Sequence, residues 1–242
     1  MASEDTGRGL GGFLSRLGGR RATDAEPSGA RADEPVAAAA PAYPTKALRK
    51  FLATLAGREA PVLLDLGPVI GSNLNFFGET LGCKVFIEDL YADVERHLKA
   101  GTTADLPAFI RKRLGHADAS IDGVLAWDVI DYLELPAAQA LASELVRVMR
   151  ADAALLAFFR TAAPRGGETQ RANYTKFVVI DEQTLRHRPY PASRGQQRVL
   201  QNRDIIRMFD GLRVSDSFLL QTNLREILFR KPAYLATAQS TG

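Results

Sequence analysis

The sequence has few cysteine and histidine residues, and each shortage excludes a class of site. A single cysteine, Cys83, rules out an internal disulfide and any metal site built from several thiolates. Cys83 stands at the start of a predicted strand, where we expect a small buried apolar side chain. The 3 histidines lie far apart along the chain, so the sequence predicts no metal centre.

Long apolar runs are also missing. No run approaches the roughly 18–20 residues that a membrane-spanning helix needs, and the N-terminus lacks the apolar core of a secretory signal. We therefore expect a cytoplasmic protein without a transmembrane segment. Apolar residues make up 46% and charged residues 24% of the 242 positions, which is typical of one globular domain with extensions.

The composition changes near residue 43. Residues 1–42 are rich in Gly, Ala, Ser, Pro and charges, and such a segment buries too little apolar surface to offset its chain entropy. We expect residues 1–42 to be a disordered tail, residues 43–233 to form a single domain, and residues 234–242 to be a flexible tail.

Strand-length apolar runs alternate with segments of helical period throughout the domain. The predicted strands cover residues 61–66, 84–87, 122–127, 154–159, 212–220 and 225–230. Helices are predicted over residues 45–56, 105–114 and 137–149, before Gly82, and from Asn202, whose side chain can cap the helix, to Gly211. This alternation predicts an α/β fold with a doubly wound, mostly parallel sheet, closed by a C-terminal antiparallel hairpin.

The first strand-to-helix turn is the place where a ligand is expected. In doubly wound sheets, ligands bind outside the carboxyl ends of the strands, and this turn follows the strand that ends at Asp65. Gly67 lets the chain turn sharply, and Gly71 allows a ligand or helix to approach the backbone. Glu88 and Asp89 end the next strand, where a carboxylate commonly accepts both hydroxyls of a ribose.

This turn resembles the first motif of the class I S-adenosylmethionine-dependent methyltransferases. Asp65, Gly67 and Gly71 match that motif, and the resemblance implies that the loop holds the methionine part of the cofactor. Asp89 aligns best with the family's ribose-binding acid, with Glu88 as the fallback. The resemblance therefore implies S-adenosylmethionine as the cofactor.

A second stretch carries the same resemblance. Residues 120–133 are similar to the family's fourth-strand motif, so Trp127 and Asp128 are expected to line the cofactor pocket. The resemblance spans residues 62–229, nearly the whole domain. An ordinary core position remains the alternative for Trp127.

Two departures from the family pattern affect the cofactor site. Val69 stands where the family usually has its middle glycine, so the loop is expected to hold a ligand less closely. The segment between Asp89 and Asp122 is short for a helix, a strand and a second helix, so the third strand is predicted to be abbreviated or absent. The acid that commonly meets the adenine is then lost, and Asp118 or His116 is a possible substitute.

No recognisable sequence motif identifies the catalytic residues. Methyl transfer needs alignment of the acceptor and, for a weak nucleophile, a general base. Asp128 and Asp131 flank the end of the fourth strand and are the candidates. A helix start or cap is the alternative for Asp131, while His116 and His187 are possible bases that could equally be loop histidines.

A basic insert follows the fifth strand. Residues 165–213 contain ten Lys or Arg against five Asp or Glu, a net charge of +5, and include a short predicted strand over 177–180. An insert here is expected to select the methyl acceptor. Its Arg and aromatic residues would suit RNA, a nucleotide or a small anionic metabolite, and a solvated surface loop is the alternative.

Three functions remain open at this point. The first is S-adenosylmethionine-dependent methyl transfer to an unassigned acceptor. The second is a non-catalytic Rossmann-like module that binds a protein or RNA partner through residues 165–213. A nicotinamide-dependent oxidoreductase is disfavoured because only Gly67 and Gly71 of a Gly-x-Gly-x-x-Gly pattern are present.

Overall fold

The computed structural model describes residues 41–162, 171–220 and 222–233. The predictions for residues 1–40 and 234–242 lie outside these ranges. The first described strand, β1, spans Ala42–Pro44, so the folded domain includes residue 42, which the sequence assigned to the tail.

Helices and strands alternate along the domain as the sequence predicts. In chain order they are β1, α1 (Leu48–Ala56), β2 (Val62–Asp65), α2 (Gly71–Asn75, continued by a π-helix over Phe76–Thr80), β3 (Lys84–Ile87), α3 (Leu90–Ala100), α4 (Leu106–Arg113), β4 (Ile121–Trp127), α5 (Leu135–Val148), β5 (Met149–Arg160), β6 (Arg171–Asp181), β7 (Thr184–Gln196), α6 (Asn202–Met208), β8 (Arg213–Leu219) and β9 (Leu224–Arg230).

The central sheet has six strands in the order β3-β2-β4-β5-β9-β8. The strands from β3 to β5 are parallel, and β9 runs antiparallel to both β5 and β8. Leu64 and Val124 join one hydrophobic cluster while their neighbours Leu63 and Leu125 join another, so the sheet is covered on both faces. The predicted doubly wound, mostly parallel sheet with a closing antiparallel hairpin is confirmed.

The passage from β3 to β4 contains two α-helices, joined by a 3-10 turn over Thr103–Asp105, and no strand. The chain continues from β3 directly into α3 and then α4, and β3 is an edge strand of the sheet. The short spacing correctly indicated that the third strand is missing. Helix α3 itself was not predicted, because its buried side chains include Asp93 and Glu95 and blur the apolar period.

Most of the described part of the basic insert is a long β-hairpin, and the short strand predicted over 177–180 is part of its first strand, β6. Strands β6 and β7 pair antiparallel, and β1 adds to β7 to make a second, three-stranded sheet in the order β1-β7-β6. Strand β7 was not predicted, because prolines and arginines interrupt its apolar pattern. It is a strand because it pairs with β1 and β6, which are distant in sequence or defined by the same pairing.

The predicted helix cap at Asn202 is also wrong. Helix α6 begins after Gln201, which has an extended backbone and no capping side chain. The Asn202 Oδ1 atom instead accepts a hydrogen bond from Arg225 at 3.3 Å, because the neighbouring strand β9 supplies a donor.

Helix α1 is held by a carboxylate from a distant strand. Glu226 in β9 is fully buried, and its Oε2 atom accepts the backbone N–H groups of Lys46 and Ala47, both at 2.8 Å. The residue before α1, Ala47, offers no side-chain cap, so Glu226 satisfies donors that the helix start would otherwise leave unpaired.

Replacing Glu226 by alanine should lower the free energy of unfolding by about 3 kcal/mol, because two buried donors lose a charged acceptor. Chemical denaturation measures the change. As a control, Glu182→Ala should change the stability by less than about 0.5 kcal/mol, since the Glu182 side chain is 59% exposed and its ion pair with Arg49 spans 4.0 Å. Equal losses in the two variants would contradict this role of Glu226.

Candidate functional site

Three chain turns meet at the point where the strand order of the sheet reverses. The chain passes from β2 outward to β3 and then returns across β2 to β4, so the carboxyl ends of β2 and β4 flank the reversal. The turn after Asp65, the acid Asp89 after β3 and Trp127 at the end of β4 all lie at this edge. The structure thus brings together the residues from which the sequence predicts a cofactor site.

Asp65 and Trp127 form the floor of this site. The Asp65 Oδ1 atom accepts the Gly67 N–H at 2.8 Å and the Trp127 indole N–H at 2.6 Å. Both side chains are almost fully buried. Burial raises the pKa of the Asp65 carboxyl from 3.8 to about 6, although the two donors favour the carboxylate.

Gly67 leaves space for the indole. A Cβ at residue 67 would lie 2.9 Å from two atoms of the Trp127 ring, so only glycine fits without a shift. The inner side of the turn is therefore filled by Trp127. The outer side is open, since Gly71 and Ser72 are exposed and the Val69 side chain is 64% exposed.

Trp127 is held in one orientation by its neighbours. Its backbone is left-handed, with a φ of 47°, a conformation that costs a non-glycine residue energy unless the surroundings fix it. The indole is stacked on Phe177 at 5.2 Å with an angle of 4° between the rings, and Phe158 packs edge-on at 5.7 Å. Trp127 is thus a packed core residue as well as part of the floor of the site.

Asn73 fastens the β6–β7 hairpin to the turn. This buried residue donates from Nδ2 to the Phe177 carbonyl and accepts at Oδ1 from the Val179 N–H, both at 2.8 Å. One asparagine side chain therefore satisfies both polar groups of a strand segment. The hairpin lies over the carboxyl edge of the sheet because this contact places Phe177 against Trp127.

Glu88 and Asp89 have different partners. The Glu88 carboxylate forms an ion pair with Arg113 and lies 3.4 Å from His116 Nε2, so it links the end of β3 to the end of α4 and the segment that follows. Asp89 precedes α3, and its Oδ1 atom accepts the Ala92 N–H at 3.1 Å as a helix cap.

Burial raises the pKa of the Asp89 carboxyl, while the N–H groups at the start of α3 and the charge of Lys176 oppose the rise. Lys176 belongs to β6, so Asp89 lies at the junction of the sheet edge and the hairpin. Asp89 also lies beside the turn over residues 66–72, which we call the cradle, since its charge acts on Asp65 and the Leu90 N–H donates to the Leu66 carbonyl at 3.3 Å.

Asp128 and Asp131 are both completely buried at the end of β4. The Tyr91 hydroxyl donates to Asp128 Oδ1 at 2.5 Å, and the Arg160 backbone N–H donates to Asp131 Oδ2 at 2.8 Å. Burial raises the pKa of Asp128 from 3.8 to about 6 and raises that of Asp131 well above its usual range. Asp131 lies in a short 3-10 turn over Val129–Tyr132 and does not cap the next helix.

The buried polar atoms that have no hydrogen-bond partner among the described residues include Asp128 Oδ2, Asp131 Oδ1 and Arg160 Nε. Buried polar groups are nearly always satisfied, so such atoms indicate a place for water or a ligand group. Tyr91, Tyr132 and Tyr174 enclose the pair with ring centroids 4.5–6.0 Å apart. The carboxyl ends of β4 and β5 thus carry a buried polar cluster with aromatic neighbours.

The remaining predicted candidates have other partners. His116 packs on Phe86 at 5.0 Å, and the largely exposed Asp118 pairs with Arg147 at 2.5 Å. His187 lies in β7 rather than in a loop, and burial aided by Arg160 lowers its pKa to about 4. The neutral His187 ring packs against Phe177 at 4.9 Å.

Sequence reasoning missed Asn73, Tyr91, Phe177 and Arg160 as parts of the site. Tyr91 had a usable signal, because it stands two residues after the strand-end acid Asp89. Asn73 had a weaker one, as a polar residue just inside a helix whose other polar positions are exposed. Phe177 and Arg160 reach the site only through pairing and folding of distant strands.

Within the three described ranges, no helix is long and apolar enough to cross a membrane. The same part of the chain contains no group of three or more His, Cys, Asp or Glu side chains placed to hold a metal ion.

No protein-family model matches the chain, and no curated protein matches it. Solved structures with a similar fold include a 1,6-didemethyltoxoflavin N1-methyltransferase from Burkholderia thailandensis with S-adenosylhomocysteine bound (15% identity, 77% of this chain and 78% of that chain, TM-score 0.43). A S-adenosylmethionine-dependent methyltransferase from Aquifex aeolicus gives 15% identity, 76% and 89% coverage and a TM-score of 0.42. The [4+2]-cyclase SpnF gives 11% identity, 77% and 81% coverage and a TM-score of 0.45.

Proposed function

We propose that this chain binds S-adenosylmethionine at the sheet edge between β2 and β4 and transfers its methyl group to an acceptor held under the β6–β7 hairpin. One observation carries the proposal. The glycine turn, the strand-end acid Asp89 and the end of β4, each identified from sequence, lie together where the strand order reverses, and doubly wound sheets bind their ligands there.

The residues at this edge fit the cofactor on the outer side of the turn. Trp127 fills the inner side, so the ligand contacts are limited to the exposed backbone from Val69 to Ser72 and to the carboxylate of Asp89. Exposed N–H groups at the start of α2 suit a carboxylate, and an acid beside them suits ribose hydroxyls. The cradle therefore offers matching groups for the two polar ends of the cofactor.

S-adenosylmethionine supplies a methyl group already activated on a sulfonium, so the protein has mainly to position the acceptor. Asp128 lies beside the cradle, and its pKa of about 6 makes its carboxylate a base suited to take a proton near neutrality. The Tyr91 hydroxyl holds one oxygen of Asp128 at 2.5 Å and leaves the other free for the acceptor. We assign proton removal to Asp128 and its positioning to Tyr91.

A non-catalytic binding module is the second candidate. Two observations support it. Trp127, stacked on Phe177, closes the inner side of the turn at Gly67. The two hydrogen bonds of Asn73 connect the hairpin to the same turn. In that case the chain binds no adenosyl ligand, and the hairpin is the contact surface for a partner.

The single tryptophan makes the site directly observable. Trp127 is the only tryptophan in the chain, so the intrinsic indole emission reports the cradle alone. Titration with S-adenosylhomocysteine should change this emission in a saturable way with a dissociation constant in the micromolar range. Asp118→Asn, which removes an acid with a side chain 77% exposed outside the site, should leave the titration unchanged.

An emission that stays constant at saturating ligand concentration, together with no heat of binding, would favour the non-catalytic module.

A further inference from the structure

One face of the β6–β7 hairpin carries a cluster of positive charge. Lys176 in β6 lies directly opposite Arg188 in β7, and Arg186 lies opposite Val178 two residues along the same strand. Side chains at paired positions, and at alternate positions along a strand, point to the same face. Lys176, Arg186 and Arg188 therefore form one cluster, which we call the cationic face.

Among the described residues, the cationic face is only partly balanced by negative charge, since Asp89 is the carboxylate on which the charge of Lys176 acts. None of its three side chains takes part in an ion pair there, although all three are partly buried. The acids of the hairpin turn are otherwise engaged: Asp181 accepts the Gln183 N–H at 2.8 Å and Glu182 faces Arg49. Like charges directly opposite on a sheet destabilise it, so this arrangement calls for an anion.

The cationic face adjoins the cradle. Lys176 lies over the Tyr190 ring at 4.4 Å, and it is near enough to Asp89 for its charge to act on that carboxyl. An anion bound between Lys176 and Arg188 would therefore lie beside the cradle rather than on a remote surface.

We propose that the cationic face binds a phosphate or diphosphate group of a small methyl acceptor, an inference that rests on the proposed function. Opposite residues of a sheet are about 5 Å apart and alternate residues along a strand about 7 Å, so three cations of this spacing converge on one polyanionic group. Two guanidinium forks and one ammonium match the oxygens of such a group.

The compactness of the cluster favours a small molecule over a nucleic acid. Single-stranded RNA is bound by a groove that follows several successive phosphates and by aromatic rings that stack on successive bases. The cationic face has three charges within one hairpin, and Lys176 already covers the adjoining Tyr190 ring. This arrangement fits one phosphate or diphosphate group.

Inorganic pyrophosphate is the probe for the test, measured by calorimetry with and without saturating S-adenosylhomocysteine. Binding should weaken about tenfold or more in Lys176→Gln and in Arg188→Gln, since each removes a charge-assisted contact. Arg203→Gln is the matched control, because this side chain is 78% exposed on α6, and it should leave the affinity unchanged.

The outcomes separate the two proposals. If pyrophosphate binding is undetectable, or if its affinity is equal in the parent and all three variants, the cationic face is not a phosphate site. This result does not bear on adenosyl binding, which the S-adenosylhomocysteine titration tests separately. A ten-nucleotide RNA is the alternative ligand. If it binds more tightly than pyrophosphate, and if Arg203→Gln weakens its binding as much as the two hairpin variants do, the small-molecule assignment is overturned. Loss of pyrophosphate binding in the two hairpin variants alone supports it, even in a protein that binds no S-adenosylhomocysteine.

Discussion

Replacing Asp89 by serine should weaken binding of S-adenosylhomocysteine by about 100-fold and leave the free energy of unfolding nearly unchanged. Two hydrogen bonds from ribose hydroxyls to a carboxylate account for a loss of this order. Serine is as good a helix cap as aspartate, so the cap on α3 that the Ala92 N–H now makes with Asp89 is retained. Its side chain is too short to reach a ribose.

Two further variants separate binding from folding. Asp89→Ala should lose the same affinity and also about 1 kcal/mol of stability, because the cap is gone. Glu88→Gln should do the opposite: it weakens the ion pair with Arg113 and lowers stability, while affinity stays within about twofold. Calorimetry and chemical denaturation measure both quantities, and an Asp89→Ser protein that binds as well as the parent would contradict the assignment.

The second large effect concerns pH. Burial raises the pKa of both Asp65 and Asp128 from 3.8 to about 6. Between these values the folded state binds more protons than the unfolded chain, so the stability contributed by the protonated carboxyls is fully present below about pH 4 and is lost as the pH rises through 6. Each carboxyl should lower the free energy of unfolding by about 3 kcal/mol across this window.

Asp128→Asn isolates this contribution. The asparagine carbonyl can still accept the Tyr91 hydroxyl but does not ionise. The stability difference between variant and parent should shift by about 3 kcal/mol in favour of the variant from pH 4 to pH 7. Asp65→Asn should show a shift of the same sign. Denaturant titrations at several pH values measure the difference, and a difference that does not vary with pH would rule out the raised pKa.

The parts of the fold predicted correctly are those determined by local sequence. The strand predicted over residues 84–87 is observed as Lys84–Ile87, and the closing pair of strands is observed as Arg213–Leu219 and Leu224–Arg230. In each case the apolar pattern lies within the element itself. The missing third strand was also predictable, because chain length limits what fits between two strands.

The hairpin and the floor of the site could not be predicted in this way. The bond between Trp127 and Asp65 joins residues 62 positions apart, and the Asn73 bonds to β6 span 104 and 106 positions. Strand β7 has no apolar run of its own and is defined by its pairing with β1 and β6. Sequence identified the residues around the cradle, but not that Trp127 fills its inner side.

The most direct test of adenosyl binding at the β2–β4 edge is calorimetric titration of the purified chain with S-adenosylhomocysteine, with NAD⁺ as the comparison ligand. We expect one site per chain with a micromolar dissociation constant for S-adenosylhomocysteine and no heat with NAD⁺. A protein shown to be folded by its cooperative unfolding that gives no heat with S-adenosylhomocysteine, or that binds NAD⁺ instead, would contradict the proposed methyl transfer.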